Sequence, residues 1–142
     1  MKKILSESIA TKGMLTIFSL TIIFHILVLV GVIPFGIVWG GRLQDRNQML
    51  IFETVSIIIN VILLCFVAIQ AGMVNIPIRP SVLKKFFWAM CTLFMLNTIG
   101  NLFSVNSFEK AFFTPITLLL AVFSWRLAVS DPLQKLSAET LK

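Results

Sequence analysis

The stretch MLIFETVSIIINVILLCFVAIQAGMV, residues 49–74, carries a single formal charge, Glu53, in a run of otherwise apolar or neutral side chains. A hydrocarbon core of about 30 Å is crossed by about 20 such residues in helical form. Working outward, three more runs meet the same criterion, at 14–33, 86–105 and 111–129. The expected fold is therefore an all-α membrane protein, an antiparallel bundle of four transmembrane helices forming one integral membrane domain over residues 1–142.

Composition agrees with this reading. The chain is 58% hydrophobic and 13% charged, against roughly 25% charged in a soluble domain, and its mean hydropathy is +0.97. With 7 Gly, 5 Pro and 2 Cys it is neither collagenous nor a disulfide framework. A net charge of +6 would suit nucleic acid if the basic residues shared one wet face. They flank the apolar runs instead, so membrane lipids are the expected partners and nucleic acid is not. The first run exceeds the 7–15 apolar residues of a signal peptide and no small-residue cleavage site follows it, which makes it a retained helix. Neither cysteine, Cys65 or Cys91, lies in a lipidation signal.

Orientation follows from basic residues in short loops. With the N-terminus inside, Lys2, Lys3, Lys12, Arg79, Lys84, Lys85, Arg126, Lys135 and Lys142 are cytoplasmic, while Arg42, Arg46 and Lys110 are outside. That asymmetry predicts cytoplasmic N- and C-termini, in a bacterial inner membrane. Pro77 and Pro80 stop the second helix, Pro115 is placed in the first turn of the fourth, and the tail 131–142 is read as a short surface helix.

Polar groups in hydrocarbon must face one another or a wet cavity. Glu53, Ser56 and Asn60 share one helical face, as do Asn97, Asn101 and Ser104, while Thr21 and His25 or Thr114 and Thr117 pair at one-turn spacing. At 1.5 Å per residue, Glu53 lies roughly 6 Å and Asn60 roughly 16 Å below the outer end of their segment. The polar set is concentrated in the outer half, which predicts a pocket opening outward.

Glu53 is the foremost candidate, because intramembrane carboxylates are rare and face interiors. Against this, a shallow acid can snorkel and complement the positive end of its helix. Its expected partner is Arg42 or Arg46. His25, the only histidine, is either a structural hydrogen-bonding group or a relay. Asn60, Asn97 and Asn101 are ligands or interhelical glue. The connection 34–48 is unusually apolar and rich in glycine; Trp39 there is expected to anchor in the headgroup interface, the alternative being an inward turn that brings Arg42 to Glu53. Thr117, Ala121, Ser124 and Ala128 form a stripe for close packing, within the bundle or against a second copy.

No nucleophile elbow, phosphate loop or metal-ligand spacing occurs, so no metal or other cofactor is expected and enzymatic activity is disfavoured. The leading reading is a small membrane protein, transporter-like, whose outward polar pocket takes a small or lipid-like ligand through Glu53, Arg42, His25, Asn60, Asn97 and Asn101. The alternative is an accessory or assembly subunit of a larger complex, or a homo-oligomer. An intramembrane enzyme, the third reading, requires His25 and Glu53 within hydrogen-bonding reach at one substrate-sized space.

Overall fold

The computed structural model describes residues 5–104 and 107–130, all helix, turn or loop with no strand among them. The helices are α1 (Glu7–Leu29), α2 (Arg46–Gln70), α3 (Pro80–Leu102) and α4 (Ser107–Ala128). All four are long and apolar enough to span a membrane, as the apolar runs require. The tail 131–142 and Lys2 and Lys3 lie outside the described residues.

Local capping chemistry explains why the helices extend past the apolar runs. The Ser6 side chain accepts from the Ile9 N–H at 3.1 Å, which satisfies a donor the first turn would otherwise leave open. α1 therefore starts about two turns before its apolar run and carries Lys12 within it. Asp45 caps α2 in the same way, accepting from the Gln48 N–H at 2.8 Å. Pro80 opens α3, where its missing N–H costs nothing. After α1, Gly31 adopts φ +83°, a left-handed turn that ends the helix and suits a residue without Cβ.

Pro115 corrects one expectation. α4 begins at Ser107, so Pro115 lies inside the helix and not in its first turn. The carbonyl of Ala111, four residues back, thereby loses its usual helical donor.

α1 packs along α2, α3 along α4, and α1 also meets α4, whereas α2 and α3 approach each other little. The start of α1 is tied to the end of α2 by Gln70, whose Nε2 donates to Glu7 at 3.2 Å. Beside that end, Arg126 Nε donates to the Leu5 carbonyl at 2.8 Å. A dry core fills this end of the bundle around Met14, Phe18, Val67, Phe87, Met90 and Leu127. Phe66 stacks on Phe86 there, ring centroids 3.7 Å apart, and joins α2 to α3. A smaller core of Val28, Val38, Leu43 and Met49 closes the other end, beneath the 34–48 connection.

Lipid tails are as apolar as leucine, so these cores hold by shape complementarity more than by removal from water. Small residues decide how close the helices come. Ala121, Ser124 and Ala128 are buried within the chain itself, and a Cβ at Gly13 would overlap the buried ring of Phe123. Gly13→Leu is expected to destabilise the bundle by about 1–3 kcal/mol, the usual cost of overpacking, read as a lowered midpoint of denaturant unfolding in detergent micelles.

Candidate functional site

The buried stripe of α2, Met49, Glu53, Ser56, Leu63 and Val67, faces the bundle interior. Glu53 is fully buried on this stripe, at 0% exposure. An unpaired carboxylate at such a position would cost several kcal/mol. Both of its oxygens are engaged. His25 Nδ1 lies 2.6 Å from Oε2, and Trp39 Nε1 donates to Oε1 at 3.0 Å. The Trp39 N–H suits an ionised Glu53, and a carboxylate at that position requires His25 to carry a proton on Nδ1.

The expected pairing with Arg42 or Arg46 is not what the geometry shows. Both arginines are exposed, and the basic side chain in contact with Glu53 is His25, which is charged only when protonated. The phase of α2 turns Glu53 toward α1, where His25 is nearest, and the connection presents Trp39 to it before the chain reaches Arg42. Trp39 also makes contacts within the chain. Its indole packs edge-on against Phe52, with centroids 5.0 Å apart, while its N–H turns into the bundle.

This placement strains the backbone. Trp39 has φ +55°, the only non-glycine residue with positive φ among the described residues. A bulky side chain in that region costs of order 1–3 kcal/mol and persists only where its surroundings enforce it. Gly41 follows at φ +68°, and a Cβ there would come within 3.2 Å of the Gly36 carbonyl. The glycines let the connection fold tightly enough to lower the indole onto Glu53.

Between the two cores lies a cavity of about 450 Å³. All four helices and Trp39 line it. Its walls are chiefly aromatic and aliphatic, from Phe24, Phe94, Phe112, Phe113, Ile116 and Leu120. His25, Asn60, Asn97 and Asn101 line it as well, so four of the six expected site residues meet at one space. Glu53 stands behind His25 rather than in the wall, and Arg42 is outside. Thr21, Ser56 and Thr117 add hydroxyls.

Several of these polar groups keep free capacity. Asn60 Nδ2 donates to the Ser56 carbonyl at 2.8 Å, leaving its Oδ1 open. Asn101 Nδ2 reaches Thr117 Oγ1 at 3.4 Å, and Thr117 is also tied to Thr98 at 3.0 Å. Asn97 makes no side-chain hydrogen bond among the described residues and is exposed. His25 Nε2 has no partner among them either. With Nδ1–H directed to Glu53, Nε2 is an acceptor in the neutral ring and a donor in the protonated one.

Sequence reasoning missed Trp39 as a partner of the acid. The available signal was the glycine pair after it, which marks a backbone able to turn inward. No cluster of three metal-ligating side chains occurs among the described residues. Compared with protein families, with curated proteins and with solved structures, the chain has no match.

Trp39→Phe keeps the ring and removes the donor to a buried carboxylate. It is expected to lower stability by about 1.5–3 kcal/mol, the range for a hydrogen bond to a charged group. The loss should be much smaller in a Glu53→Gln background, and a double-mutant cycle of unfolding midpoints reads that coupling directly.

Proposed function

We propose that the protein is an intramembrane ligand-binding protein of transporter-like character, whose cavity takes a small amphiphile or a lipid-like molecule. The observation that carries this reading is the convergence of His25, Asn60, Asn97 and Asn101, from three helices, on one largely apolar space of about 450 Å³. That size falls within the roughly 300–1,000 Å³ of small-molecule sites, and so does the pairing of apolar walls with a few convergent polar groups. Polar side chains serving only as assembly contacts would point at lipid and await a partner. Thr117 lines the shared cavity instead, and Asn97 borders it while also being exposed.

The proposed topology has the helices alternating in direction, with both termini cytoplasmic. In support, His25 near the end of α1 meets Glu53 near the start of α2, while Glu7 at the start of α1 meets Gln70 at the end of α2. The distribution of Lys and Arg supplies the sign. Glu53 and the 34–48 connection then lie toward the outside. Leu20, midway along α1, lines the cavity and is 60% exposed, so a ligand has a route in from the side, at the depth of the acyl chains.

Native mass spectrometry of gently solubilised protein tests this reading. Wild type should carry a discrete small-molecule or lipid adduct, and Asn97→Trp, which fills the space without breaking an internal hydrogen bond, should lose it. Equal adducts on both proteins, or none on wild type, would refute a ligand site in this cavity.

A further inference from the structure

The polar equipment of the cavity is one-sided in charge. No Lys or Arg lines it among the described residues, and the nearest acid is Glu53, outside the lining and in contact with His25. The other polar and aromatic groups that line the cavity with His25 are uncharged: Thr21 and Phe24 on its own helix, Trp39 on the connection, Ser56 and Asn60 on α2, the asparagines of α3, and Phe113 and Thr117 on α4. Arg42, Asp45, Arg46 and Lys110 belong to the same end of the bundle, but they are exposed and form no ion pair with the His25–Glu53 pair. With His25 neutral, the site therefore carries one uncompensated negative charge in a medium of low dielectric, where such a charge acts strongly.

We propose that the ligand is a protonated amine on an apolar body. Its N–H donates to the lone pair of His25 Nε2, and Glu53 balances its charge through the imidazole. The free amide oxygen of Asn60 supplies a second acceptor, and Phe24, Phe94, Phe112 and Phe113 line the space that takes the apolar part. An anionic head would meet Glu53 with no cation beside it. A neutral hydroxyl could make the same hydrogen bond but would leave the charge uncompensated. An ammonium and a proton compete for the one lone pair, so the ligand occupies the site with the ring neutral. Glu53 is here a positioning residue that acts through His25.

This inference rests on the cavity being a ligand site. The single histidine makes it directly readable, because one 15N-labelled imidazole gives one Nε2 resonance. The full chain, labelled at histidine and held in phosphatidylcholine nanodiscs near neutral pH, is titrated with octylamine, octanol, octanoate and octyltrimethylammonium. Octylamine is expected to move the Nε2 signal at about tenfold lower concentration than octanol, since charged hydrogen bonds are roughly twice as strong as neutral ones. Octanoate should leave it in place, and the quaternary ion, which has no N–H, should fail to reproduce the octylamine shift. In Glu53→Gln, octylamine should fall back to the level of octanol. Octanol or octanoate matching octylamine in wild type would overturn the amine assignment while leaving the cavity a ligand site. A quaternary ion matching octylamine would overturn the hydrogen bond to Nε2. If none of the four probes moves the signal, both the amine assignment and the ligand cavity fail.

Discussion

A carboxylate that has lost all contact with solvent must be held by donors, and Glu53 is held by two. His25 comes from α1, and Trp39 comes from the connection between α1 and α2, so one side chain joins three parts of the chain. Removing either donor leaves a buried charge short of a partner, which is dearer than never having buried it. The tight fold of the connection, the positive φ of Trp39 and the register of α1 against α2 all follow from satisfying this acid. So does the chemistry of the cavity, because fixing the proton on Nδ1 is what leaves Nε2 open toward it.

The remainder of the bundle is organised by a different constraint. Inside lipid, apolar side chains gain little by leaving their surroundings, so contacts must be earned by fit. At the Arg126 end, Gly13, Ala121 and Ala128 allow the helices close enough for Phe87, Met90 and Phe123 to interlock. Between the two cores the cavity walls are large rings and branched chains, and α2 and α3 scarcely approach each other along their length. Close fit and open space thus divide the molecule along its length, and the polar side chains lie on the open side.

Much of the fold was legible because it depends on short-range quantities. The length of each apolar run specifies a spanning helix, and the spacing of Glu53, Ser56 and Asn60 places them on one inward face. The convergence of His25, Asn60, Asn97 and Asn101 was legible for the same reason, since polar groups in hydrocarbon have few places to go. The partner of Glu53 was not. Charge complementarity points to Arg42, but the connection carries Trp39 inward and leaves Arg42 in the open, an outcome set by backbone dihedrals at Trp39 and Gly41 that no periodicity encodes. The start of α4 was hidden in a similar way. Its first turns, from Ser107, are amphipathic rather than apolar, so hydropathy alone began the helix too late and assigned Pro115 to its edge.

That interior proline has a mechanical consequence. A helix missing one rung of its hydrogen-bond ladder bends there more cheaply than elsewhere. In α4 the missing rung falls between Phe112 and Phe113 on one side and Ile116 and Thr117 on the other, all of them cavity residues. The interlocked end has no such break in α4 and resists shear, so flexural compliance is concentrated at the height of the cavity. A bend of α4 at that rung would change the width of the space that these residues line.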